Sequence, residues 1–224
     1  STITNSGTIE TKVNGKLNNQ GFSLDYEDTS GSTITNEKTG KLYGNIYLGD
    51  NGQFVNKGFV SLPYNANVLN TIQYLDDDGE PELDYYGSQI TRKGGVYISN
   101  LVNSGTIEIG AFKNSNSKIE NTQILTKNAT FNAGSKLNVR VEAGSKAFVK
   151  GDKLEQVISA ANSLTINELK VNSATLKFEE VEVKPLTANS NGKYIDLVVS
   201  KVNSFSEAGN TRGNATIIAQ TLDK

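Results

Sequence analysis

One short phrase recurs through this chain and constrains its fold more than any other feature. Ile3-Thr-Asn-Ser-Gly-Thr-Ile9 is echoed by Leu101-Val-Asn-Ser-Gly-Thr-Ile107. Looser copies are Leu17-Asn-Asn-Gln-Gly-Phe22, Phe54-Val-Asn-Lys-Gly-Phe59 and Ile119-Glu-Asn-Thr-Gln-Ile124. A second phrase, Phe131-Asn-Ala-Gly-Ser-Lys-Leu137, returns ten residues later as Val141-Glu-Ala-Gly-Ser-Lys-Ala147. Apolar residues flank the polar centre of each copy, so each reads as a strand end, a tight corner and a new strand. Asn tolerates left-handed backbone angles and bonds its own backbone, and Gly takes positive φ without a Cβ clash. Where copies stack, the Asn side chains are expected to ladder between layers.

Two architectures use such corners: the hairpins of a β-sandwich and the coils of a parallel solenoid. The glycines of the main phrase fall at 7, 21, 58 and 105, an irregular spacing. Asn-Gly hairpin steps are scarce, at Asn14-Gly15, Asn51-Gly52 and Asn191-Gly192 alone. A solenoid tolerates irregular loops because each coil touches only its neighbours. The expected fold is therefore all-β, a parallel β-helix with an inserted loop. Roughly 20 residues per coil predicts about ten coils, and layers about 4.8 Å apart predict a rod on the order of 50 Å long.

Composition closes off much chemistry. The chain holds 27 Asn, 20 Ser, 20 Thr and 21 Gly, 88 of its 224 residues, against 3 Pro and 3 Arg. Disorder does not follow from this polarity, because Ile, Val and Thr recur at short intervals as strands require. There is no Cys, which excludes disulfides, thiolate catalysis and structural zinc. There is no His, which removes the usual general base and any Ser-His-Asp triad. A net charge of −2 lacks the basic footprint of a nucleic-acid binder. No run approaches the roughly 18 apolar residues of a membrane span. The chain opens at Ser1 inside a repeat phrase, without a charged and apolar signal region, and reads as a mature or excised piece.

Residues 1–62 carry four turn phrases and short strands such as Leu42-Tyr-Gly-Asn-Ile46-Tyr-Leu48. Residues 63–93 break the pattern with Pro63 and Pro81, four tyrosines (Tyr64, Tyr74, Tyr85, Tyr86) and the run Asp76-Asp77-Asp78-Gly79-Glu80. Six acidic and two basic residues give this stretch −4, and it reads as a loop inserted between coils. The repeat resumes at Gly95 and runs to about Gly134. From 135 onward alternation lengthens, as in Leu137, Val139 and Val141 or Ile195, Leu197 and Val199. Leu154, Val157, Ile158 and Ala161 are spaced for one short helix over 152–161, or equally for buried strand residues. The segment 205–214 reads as loop, and 215–222 as one or two helical turns.

These phrases resemble the passenger region of bacterial autotransporters (type V secretion). The resemblance rests on the Thr-Asn-Ser-Gly-Thr-Ile copies, Ala129-Thr-Phe-Asn-Ala-Gly-Ser-Lys-Leu137 and Ser163-Leu-Thr-Ile-Asn-Glu-Leu-Lys-Val171. Tyr194-Ile-Asp-Leu-Val-Val-Ser-Lys201 followed by Asn214-Ala-Thr-Ile-Ile-Ala-Gln-Thr-Leu-Asp223 is similar to the junction before that family's membrane barrel. The Asn- and Lys-rich, Arg-poor style is most similar to the large fusobacterial outer-membrane adhesins. The resemblance implies a right-handed parallel β-helix, exported across the outer membrane and exposed at the cell surface. It implies coils over 1–134 with the insertion at 63–93, a C-terminal autochaperone-like cap over 135–203, and a junction over 204–224 toward a barrel beyond this chain. Absence of Cys suits that route, since a periplasmic disulfide would hinder threading. The insertion matches no family pattern, and the family has no fixed binding motif to carry over.

Serine-protease and lipase passengers need a His that is not present. Carbohydrate cleavage by paired carboxylates, or by an Asp-bound calcium and a basic residue, remains as the enzymatic alternative. Only Arg92, Arg140 and Arg212 are available as arginines, and Arg140, in the strand Leu137–Val141, is expected to face solvent. Asp76-x-Asp78-Gly79 is a fragment of a calcium loop, but Tyr74 stands where a third ligand belongs. No cofactor or metal is expected. The leading expectation is a non-catalytic adhesin segment, its expected partners a host-cell or bacterial surface protein or glycan, with the fragment monomeric; a purely structural stalk is the other alternative. The expected binding residues are Tyr64, Tyr74, Asp76, Asp77, Asp78, Tyr85 and Tyr86, because loops on rigid scaffolds carry recognition and clustered Tyr beside charge suits contact surfaces. The competing reading is that these tyrosines pin the loop to the rod. A second candidate is the flat face itself, whose Ser, Thr, Asn and Lys rows could bind glycans.

Overall fold

The computed structural model describes residues 1–17, 21–26, 31–64, 71–73, 80, 83, 85–89, 91–93, 96–188 and 190–203. Among them there is no helix, and the fold is all-β with long parallel ladders. Along the chain, strands alternate between two sheets: β1 Thr2–Asn5, β2 Thr8–Glu10, β3 Thr33–Asn36, β4 Lys41–Tyr43, β5 Asn45–Asn56 and β6 Phe59–Ser61. The alternation continues through β7 Tyr97–Asn103, β8 Thr106–Lys113, β9 Ile124–Phe131, β10 Lys136–Val141, β11 Lys153–Ile166 and β12 Lys170–Ser173. Odd-numbered strands pair in one parallel ladder and even-numbered strands in the other, each in chain order.

Six tiers stack in this way among the described residues, rather than the ten that a 20-residue period predicts. Thr33 lies beside Gln53, 20 residues on, but Gln53 lies beside Asn100, 47 residues on. Loops leave at the corners and lengthen each tier without disturbing the ladder. The register lines up apolar side chains in columns. Ile34, Phe54, Leu101 and Ala129 form one, and Leu42, Val60, Ile107 and Leu137 another, all essentially sealed from solvent. Each large side chain so buried contributes about 1.5–3 kcal/mol.

The repeat phrase owes its residues to stacking. Asn5 donates its side-chain amide to Asn36 at 2.9 Å, Asn36 to Asn56 at 2.9 Å, and Asn56 to Asn103 at 2.8 Å. Asn103 closes the row on the Gly105 carbonyl, and Phe131 takes the same column in the next tier. The expected Asn ladder is present. The expected backbone reason is not: neither these four Asn nor Gly7, Gly40, Gly58 and Gly105 have positive φ. Gly58 and Gly105 are needed because the tiers approach too closely for a side chain. A Cβ on Gly58 would lie 2.3 Å from the carbonyl oxygens of Glu37 and Gly40, and one on Gly105 would lie 2.3 Å from that of Gly58. Left-handed glycine instead marks the second phrase, where Gly134 (φ 86°) and Gly144 (φ 83°) occupy the third position of matching turns.

Membership of the repeat also differs from the sequence reading. Ile34-Thr-Asn36 with Gly40-Lys-Leu42 is a true copy, hidden by extra residues between Asn and Gly. Ile119–Asn121 is not one, since it pairs antiparallel with β8 and its Asn121 bonds the Glu155 carbonyl. The centre of the copy at Leu17–Phe22, residues 18–20, lies outside the described residues, as do the loop and helical turns expected over 205–222.

The helical spacing over 152–161 belongs to a strand. Gln156 takes φ 45° in β11, and the register with its neighbour slips between Leu154 and Ile158. This bulge turns Leu154, Val157 and Ile158 inward together, mimicking helical periodicity, whereas Ala161 is exposed. Texture changes at residue 135 without a change of pairing, since β10 and β12 continue the parallel ladder. The end of the stack is closed by antiparallel pairing of β13 Leu176–Phe178, β14 Val183–Pro185 and β15 Lys193–Val202. Strand β15 lies against β11 and receives β13 and β14, with Ile195, Leu197 and Val199 buried.

Candidate functional site

The insertion expected over 63–93 leaves the scaffold between β6 and β7. Its root is tightly held. Leu62 and Pro63 are buried, and Thr122 donates its hydroxyl to the Pro63 carbonyl at 2.6 Å while accepting from the Gly110 N–H at 2.9 Å. The half-buried Tyr64 lays its ring 5.3 Å from that of Phe112. Gly110 makes this approach possible, because a Cβ there would lie 2.5 Å from the Tyr64 Cβ.

Arg140 completes the root from two tiers away. Its guanidinium donates to the Leu62 carbonyl at 2.9 Å, to the Ser61 hydroxyl at 3.0 Å and to Glu142 at 2.9 Å, and it pairs with Glu108. Ser61 in turn donates to Glu108 at 2.8 Å. The expectation that Arg140 simply faces solvent is therefore corrected: its side chain is 28% exposed, because β10 sets it beside the outward-facing carboxylates of its neighbours. A guanidinium presents five donors in a fixed fork and can hold such divergent acceptors together. Glu108 and Glu142 are both engaged by this cation. Among the described residues no three acidic side chains converge as a metal site, and no helix is long and apolar enough to cross a membrane.

Farther out, Thr71–Gln73 pairs antiparallel with Thr91–Lys93, and Leu83 bridges Gln89. Within that bridge Gly87 takes φ 77°, and Tyr85 and Tyr86 stand 96% and 87% exposed. Their rings meet edge to face at 5.4 Å. The tyrosines thus divide between the two readings. Tyr64 anchors the insertion, whereas Tyr85 and Tyr86 project from it. Tyr74, Asp76, Asp77 and Asp78 lie outside the described residues.

Sequence reasoning did not assign Ser61, Glu108 and Arg140 to this root. The available signal was a single Arg in a clean alternation, two residues before Glu142; the partners Ser61, Leu62 and Glu108 are supplied by pairing. No protein-family model matches the chain, and no curated protein matches it significantly.

Proposed function

We propose that this chain is a right-handed parallel β-helix from the barrel-proximal part of an autotransporter passenger, acting as a non-catalytic adhesin at the bacterial surface. The observation that carries the reading is the pair Tyr85–Tyr86, largely exposed on an insertion whose root is clamped to a stacked scaffold. Tyrosine is enriched at contact cores, and a loop on a rigid scaffold is where recognition residues commonly sit. A stiff array holds the pair away from the cell, and many copies on one surface convert weak contacts into avidity. The antiparallel strands β13–β15 would serve as the C-terminal cap on which the parallel tiers dock.

The test is attachment of protein-coated beads to host and bacterial cells. The double substitution Tyr85→Ser and Tyr86→Ser should abolish attachment and leave the melting temperature unchanged. Undiminished attachment would reduce the chain to a stalk. Cleavage of a polysaccharide by the purified protein, lost on substituting a carboxylate, would replace the adhesin with the carbohydrate-active alternative.

A further inference from the structure

The stacked glycine corners that admit close tiers also leave a furrow. With no side chains at Gly40, Gly58, Gly105 and Gly134, the corner column is recessed into a shallow groove of about 350 Å³. Its twelve lining residues include four lysines, Lys38, Lys41, Lys57 and Lys136, all exposed, and no acidic residue. The register explains the alignment: Lys41, Phe59, Thr106 and Lys136 occupy one column on four successive tiers, continued by Lys170. At about 4.8 Å per tier, the ammonium groups of Lys41 and Lys136 bracket a run of roughly 14 Å.

We infer that this groove binds a linear anionic polysaccharide laid along the stack. Three features select that chemistry. The lysines supply mobile point charges suited to carboxylate or sulfate groups. Among the described residues Lys57 is tied to Glu37, at 3.2 Å and half in solvent, a pairing weak enough to exchange for a ligand. Phe59, half-buried and steadied by the Tyr43 ring 5.7 Å away, stands mid-column as a platform for the apolar face of a pyranose. The tier repeat is close to the length of one sugar unit in an extended chain, so successive acidic sugars meet successive tiers. A nucleic acid fits less well, because the groove has one ring where single strands use a series of stacking platforms. This site is separate from Tyr85 and Tyr86 and stands whether or not they mediate attachment.

The test uses the full chain and calorimetric titration at low salt with polygalacturonate, dextran sulfate, neutral dextran and single-stranded DNA. Binding of polygalacturonate or dextran sulfate, but not dextran, is expected, and the better of the two tells carboxylate from sulfate. Lys41→Gln with Lys136→Gln should weaken that binding about tenfold or more. A charge-matched control, Lys150→Gln with Lys177→Gln, should not. Phe59→Leu should weaken the polysaccharide several-fold without changing the salt dependence. The inference is overturned if no anionic polysaccharide binds, if the control pair weakens binding equally, if Phe59→Leu has no effect, or if DNA binds as tightly.

Discussion

Asn56 donates its side-chain amide to Asn103 Oδ1 at 2.8 Å, with both residues sealed from solvent and 47 positions apart in the chain. The same amide group accepts from Asn36, so each interior member of the row bonds the Asn of the next tier as well as nearby backbone carbonyls. Replacing Asn56 by Leu removes three bonds, those with Asn36, Asn103 and the Thr106 carbonyl, and leaves the buried Asn103 Oδ1 without its donor. The expected loss is about 2–4 kcal/mol, since each unsatisfied buried group costs about 1–3 kcal/mol. Asn5, at the exposed end of the row, should cost less than about 1 kcal/mol as Ala. Denaturant midpoints of the two variants check the ranking, and equal losses would contradict the ladder.

Glycines of the same phrase should respond unequally. Gly58→Ala forces a methyl against two carbonyl oxygens 2.3 Å away and should destabilise by about 1–3 kcal/mol or more. Gly7→Ala meets nothing within 4 Å and should be neutral within about 0.5 kcal/mol. Thermal melting of the pair distinguishes crowding from any requirement for positive φ.

Lys113 is nearly buried, and its ammonium lies 2.7 Å from Asp152. Asp152 also accepts the Val149 N–H at 2.8 Å, tying the turn before β11 to β8. Asp152→Ala leaves an uncompensated cation in a closed site and should cost about 3–5 kcal/mol. A loss below 1 kcal/mol in urea unfolding would mean that the ammonium finds water instead.

Arg140 holds the insertion root through Leu62. Arg140→Met keeps the stem's packing but removes the fork, so Glu108 and Glu142 are left facing each other across a half-buried gap. Hydrogen exchange at Leu62, whose N–H donates to the Glu108 carbonyl at 2.9 Å, should accelerate about tenfold or more. Arg140→Lys should rescue little, because one ammonium cannot reach all of these acceptors. Unchanged exchange in both variants would show that Tyr64 and Thr122 suffice.

Strands and corners were legible in the residues. Alternation marks Ile195, Leu197 and Val199 as one buried face, and the Asn-x-Gly phrase marks the corners and foretells the amide row. The bulge at Gln156 defeats the same logic, because one left-handed residue shifts which side chains face inward and leaves helical spacing in a strand. Gly58 was recognised as special for the wrong cause: a repeat shows that glycine is required, not whether φ or a neighbour's carbonyl requires it.

What the sequence alone determined is local. Side-chain period, turn chemistry, and the lack of His and Cys depend on residues a few positions apart or on composition. The tertiary structure decided which segments lie side by side. Only pairing across the insertion brings Ser61 to Arg140, 79 residues away, and only stacking gathers Lys41, Phe59 and Lys136 into one column. Such neighbours are set by the summed burial of the apolar columns, a property of the whole stack that no single phrase contains.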